Sequence, residues 1–146
     1  MFAASAWLHA AARIATCSLL LGSTGVHAMW AALDDETLVG SSDLIVVGEW
    51  QEVSPAAAEE NLQGRIVVSA VLKGRHGKTP IRIMHSPGKG LRSGNDLVFR
   101  TGDQGLWLLR RAPGHEGAYL IDHPQRFVSA AGGEQRIRAL KQLIRP

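Results

Sequence analysis

Of 146 residues only one is cysteine, Cys17, and it lies within the N-terminal apolar stretch. No disulfide can therefore staple the domain that follows, and without a thiol that domain cannot be a cysteine hydrolase. Long apolar runs are lacking too. Ile14-Ala15-Thr16-Cys17-Ser18-Leu19-Leu20-Leu21 is too short to cross about 30 Å of hydrocarbon, and no later segment is longer. Arg13 precedes it and is the only charge in the first 33 residues. Val26-His27-Ala28 then places small or aliphatic residues at −3 and −1 of a cleavage site. Residues 1–28 read as a secretory signal peptide. The expectation is a periplasmic or secreted protein, with residues 29–146 as one domain and no transmembrane anchor. Lipidation of Cys17 is the competing use, but a lipidated cysteine should follow the apolar run rather than sit inside it.

Aromatics are few, 5% of the chain. The 118 residues after position 28 carry 15 Lys and Arg against 13 Asp and Glu, a balance that names no partner. The arrangement of charge says more. Residues 34–60 hold eight acidic side chains and no basic one, and residues 61–95 hold seven basic side chains and no acidic one. Two readings follow. Neighbouring strands complement each other across their exposed faces, or the basic stretch forms an anion-binding face.

What is present is mostly strand pattern. Ile66, Val68, Ala70 and Leu72 alternate with Arg65, Val67, Ser69, Val71 and Lys73, which predicts a strand with the even positions toward the core and Arg65 and Lys73 toward solvent. Residues 43–53 predict the strand before it, bent or bulged at Gly48. Pro80-Ile81-Arg82-Ile83-Met84 begins a third. Residues 105–111 contain a short apolar run, Leu106-Trp107-Leu108-Leu109, that reads as a buried strand, joined through a turn at residues 112–117 to another at residues 118–123. Residues 126–129 add an edge piece. Helix is confined to the ends, at residues 33–39, where Asp34, Asp35 and Glu36 suit a helix N-terminus, and at residues 134–144, where Ile137, Leu140 and Ile144 share a face. The predicted class is mainly all-β, a small five-stranded barrel with short N- and C-terminal helices.

Ser42-Asp43-Leu44-Ile45-Val46-Val47-Gly48, Leu72-Lys73-Gly74, Gly105-Leu106-Trp107-Leu108-Leu109 and Gly117-Ala118-Tyr119 together resemble small exported bacterial proteins with an OB-fold-like barrel, similar also to netrin-type modules and tissue inhibitors of metalloproteases. The resemblance spans residues 37–129 and implies a fold rather than an activity. It departs from the metalloprotease inhibitors at their mechanism, because no cysteine begins the mature chain to chelate zinc.

Catalytic and metal motifs are sparse. His76, His85, His115 and His123 are never closer than eight positions, with no His-Glu-x-x-His, so they read as scattered surface histidines. Asp122-His123 reads as the solvent-facing end of a strand, where adjacent side chains point apart. Gly74-Arg75-His76-Gly77-Lys78-Thr79 lacks the first glycine of a phosphate loop, since Leu72 stands there. No Gly-x-Ser-x-Gly occurs. A nucleic-acid barrel needs aromatics to stack on bases, and residues 65–92 contain none; Trp50, Trp107, Tyr119 and Phe127 fall on strands and read as core.

The expected function is an exported binding module with no cofactor and no nucleic acid, using Lys78, Arg82, Lys89 and Arg92 on an anionic envelope partner. Two alternatives stand beside it: a metal or hydrolytic protein using His85, His115 or His123 with carboxylates, and an accessory subunit of an envelope assembly. Histidines converging on one pocket favour the first alternative, and an uncovered apolar sheet edge favours the second.

Overall fold

The computed structural model of the protein describes residues 31–54, 61–77, 79–85 and 97–144. The expected signal peptide with Cys17, and the side chains of Lys78, Lys89 and Arg92, lie outside the described residues. In chain order the elements are α1 (Asp35–Gly40), β1 (Leu44–Gln51), β2 (Leu62–Lys73), β3 (Ile81–Met84), β4 (Gln104–Arg111), β5 (Ala118–Leu120), a 3-10 turn (Pro124–Arg126), β6 (Phe127–Ser129) and α2 (Glu134–Ile144).

Six strands form one sheet in the order β1-β2-β3-β5-β4-β6, and a further pairing of β1 with β4 closes five of them into a barrel. Neighbours are antiparallel except β3 and β5, which run parallel. The predicted mainly-β barrel with short terminal helices is what the chain forms. No helix among the described residues is long and apolar enough to cross a membrane.

β1 and β4 hold the barrel shut because both of their faces are buried. Leu44, Val46, Trp107 and Leu109 point into the barrel with Trp50, Ile66, Ile81 and Ile83. Ile45, Leu106 and Leu108 point the other way, onto Leu38 and Val39 of α1 and Leu140 of α2. A strand covered on both sides reads as a continuous apolar run, as residues 44–47 and 106–109 do.

Trp107 lies 4.1 Å from Phe127, 5.0 Å from Phe99 and 5.8 Å from Trp50 between ring centroids. Each buried indole contributes roughly 4–6 kcal/mol as an upper figure, from about 150–250 Å² at ~25 cal/mol/Å². Two glycines make room for them. The β1–β2 register slips between Val47 and Gly48, with the extra residue, Ser69, on β2 rather than at Gly48 of β1 where a bulge was expected, and the Gly48 carbonyl accepts from Trp107 Nε1 at 2.9 Å. A Cβ on Gly64 would stand 2.1 Å from Trp50 Cζ2.

Three expectations need correction. β2 begins at Leu62, three residues early, and only its first half enters the core: Ile66 is buried, Val68 and Leu72 are half-buried and Ala70 is exposed. β2 outruns β3, whose pairing with it ends at Ile66, and the β1–β2 register skips Ser69, which turns Ala70 onto the outer face opposite Val47. Arg65 and Lys73 are half-buried rather than out in solvent, and Lys73 Nζ donates to Val39 O (2.7 Å) and Gly40 O (3.3 Å) at the end of α1. Finally, β5 stops at Leu120. Pro124, with no N–H to give a strand, starts the 3-10 turn instead, capped by His123.

Candidate functional site

The antiparallel register of β2 and β3 sets Arg65 directly opposite Arg82. Both are half-buried. With His76, Thr79, Pro80 and Gly117 they line a hollow of about 400 Å³, within the usual range for small-ligand sites.

Local chemistry shapes each wall. His76 Nε2 donates to Thr79 O at 2.6 Å, which folds the β2–β3 connection back upon itself beside the arginines. Arg82 Nη2 donates to Glu116 O at 2.7 Å, tying β3 to the β4–β5 turn. Among the described residues the Arg65 side chain shows no hydrogen bond or ion pair. Like charges directly opposite each other on a sheet are destabilising. A local choice that opposes stability is the kind a functional site retains.

Of the four residues expected to bind, the structure places Arg82 in this hollow. Lys78 precedes Thr79 in the chain but, with Lys89 and Arg92, lies outside the described residues. Arg65 and His76 are the partners that sequence reasoning did not name. Both belong to the basic stretch, so their charge was visible; their convergence needed the β2–β3 register.

Among the described residues, several charges of the acidic and basic stretches pair elsewhere. Arg136 of α2 reaches Asp35 at 3.2 Å, Glu49 accepts from Gln104 Nε2 at 2.8 Å, and Asp43 accepts from the Arg111 amide at 2.8 Å. Lys73 goes to the carbonyls that end α1.

A second polar cluster lies under α1. Arg126 is 3% exposed. Its Nε is 2.6 Å from Asp122 Oδ1, while its Nη atoms donate to Ser42 Oγ (2.9 Å) and Ser41 Oγ (3.0 Å). Asp122 also pairs with Arg110 at 2.8 Å. His123 is buried, its Nδ1 accepting from the Gln125 amide and its Nε2 donating to Ala31 O at 3.0 Å. Asp122-His123 is therefore a pinned corner rather than a strand end in solvent, and His123 is not a surface histidine. A buried guanidinium needs such partners because an uncompensated buried charge costs several kcal/mol. This cluster holds the chain together and opens onto no hollow.

His85 and His115 are exposed, and among the described residues no three His, Cys, Asp or Glu side chains converge as a metal site requires. Neither the protein-family models nor the curated proteins include a match to this chain.

Proposed function

We propose that this chain is an exported binding module of the cell envelope that takes an anionic group at the hollow between Arg65 and Arg82. The observation that carries the reading is the opposed arginine pair itself. Two guanidiniums on rigid neighbouring strands present planar donor forks that match the oxygens of a phosphate or carboxylate. Residues 1–28 serve as the export signal in this reading, and Lys78, Lys89 and Arg92 extend the cationic surface around the hollow. The closed strand order with β3 parallel to β5 supports an OB-type architecture. Among the described residues lining the hollow there is no Phe, Tyr or Trp, which favours an exposed anionic headgroup over stacked bases.

The test is sedimentation of the protein with vesicles of phosphatidylglycerol in phosphatidylcholine. Arg65→Glu is expected to weaken binding about tenfold, the factor that follows from losing about 1.4 kcal/mol, with the remaining binding falling steeply as salt rises. Lys141→Glu changes net charge equally on α2 and should leave binding close to that of the parent. Equal loss from both substitutions would show that net charge alone acts and would sink the site.

A further inference from the structure

Beside Arg65 and Arg82, the hollow has an imidazole in its wall. His76 is half-buried there, and its Nε2 lies 2.6 Å from Thr79 O. A carbonyl oxygen only accepts, so Nε2 carries the ring proton, and in the neutral ring Nδ1 is a bare acceptor. Taking up a second proton at Nδ1 leaves the Nε2–H···O bond in place. The ring therefore changes its charge without leaving its position, and the β2–β3 connection that it folds back keeps its shape.

We propose that His76 makes capture of the anionic headgroup at this hollow pH-dependent, tightest when the ring is protonated; the proposal rests on the reading of the hollow as an anion site. An anion seated between the arginines favours the charged ring, and by reciprocity the charged ring holds the anion more tightly. The charged groups about the ring are Arg65 from β2 and Arg82 from β3, with Arg75 and Lys78 beside it in the chain and the Lys78 side chain outside the described residues. On the β4–β5 turn His115 and Glu116 are exposed, and Glu116 enters through its carbonyl, which accepts from Arg82 at 2.7 Å. No carboxylate lines the hollow among the described residues, so the ligand itself supplies the negative charge there. Arginine and lysine stay charged from pH 5 to 8, whereas histidine is the side chain whose charge ordinarily changes in that window. A third positive charge therefore enters the hollow as the pH falls.

Phosphatidylglycerol keeps its negative charge between pH 5.5 and pH 8, so vesicles of it in phosphatidylcholine read the titration of the protein alone. Sedimentation with them is expected to show about fivefold tighter binding at pH 5.5 than at pH 8, the size of one added ion pair at a half-exposed site. The other histidines also charge in acid, and variants separate their effect from that of His76. His76→Gln keeps an N–H for Thr79 O but cannot take up the proton, and should bind almost alike at the two pH values. His76→Lys carries a fixed charge and should bind at pH 8 as tightly as the parent does at pH 5.5. His85→Gln removes an exposed ring that does not line the hollow and should keep the parent's ratio. Melting curves at both pH values show that each variant folds. A His76→Gln variant with the parent's ratio overturns the proposal, as does an equal loss of the ratio in His85→Gln. Arg65→Glu tells the two readings apart. Undiminished binding of that variant at pH 8 defeats the anion site itself, whereas weakened binding together with an unchanged ratio in His76→Gln leaves the site standing and removes His76 from it.

Discussion

β2 carries one alternating pattern along its length, yet its two halves have different fates. In residues 62–66 the even positions are sealed inside the barrel, with β3 on one edge and Trp50 packed over Gly64. In residues 67–71 the register to β1 skips Ser69, so Val68 lies opposite Gly48 on the inner face but Ala70 lies opposite Val47 on the outer one, and Val67, Ser69, Ala70 and Val71 are exposed. Alternation therefore decides which side chains share a face only until a bulge breaks it. How deep that face lies depends on which neighbours extend far enough to cover it.

The sharpest way to break this contrast is to place the same charge on both halves. Ile66→Asp is expected to destabilise by about 4 kcal/mol or more, because an unpaired carboxylate in a closed core has no water to solvate it. Ala70→Asp, four residues on and past the shift that turns it to the outer face, should stay within about 0.5 kcal/mol. Urea denaturation at neutral pH measures both, and similar losses would mean that β2 is covered along its whole length.

A smaller effect sharpens the inner half alone. Gly64→Ala should destabilise by about 1–3 kcal/mol, since its methyl would meet the Trp50 ring and force a shift in a packed interior. Gly77→Ala meets nothing within 4 Å and should be close to neutral. If the two melt alike, Trp50 is not seated against β2.

The smallest effect concerns the helix that covers β1. Asp34 caps α1 by accepting from the Thr37 amide at 2.7 Å and from its hydroxyl at 2.8 Å. These bonds, the amide first, hold its carboxyl below its ordinary value of 3.8. A depressed carboxylate contributes stability above its unfolded pKa, and that contribution fades as pH falls below 3.8 toward the lower folded value. Asp34→Asn keeps a capping oxygen but does not titrate, so the acid limb of its melting temperature should be flatter than the parent's. Superimposable acid limbs would show that the cap adds nothing at neutral pH.

Much of the architecture was legible before any coordinates. Strand positions, the two helices and the burial of Trp50 and Trp107 follow from alternation, runs and caps, which act over a few residues; the bulge expected at Gly48 fell on Ser69 of the neighbouring strand. The candidate site was legible only in part. Arg82 was named from charge alone, while Arg65, placed in solvent by its parity, proved to be its cross-strand partner. Nothing in sequence marked Arg126 as buried, since an arginine beside an edge strand ordinarily faces water.

Local pattern by itself determined that this chain makes short strands between terminal helices, that its described domain has no disulfide to lean on, and that its acidic and basic residues are segregated. Those properties depend on near neighbours and composition. Tertiary structure alone decided that β1 and β4 meet to close the barrel, that β3 is too short to cover β2, and that two arginines 17 positions apart share a hollow. Each of these depends on strand register and relative length, which are set when distant segments pair and bury their faces together.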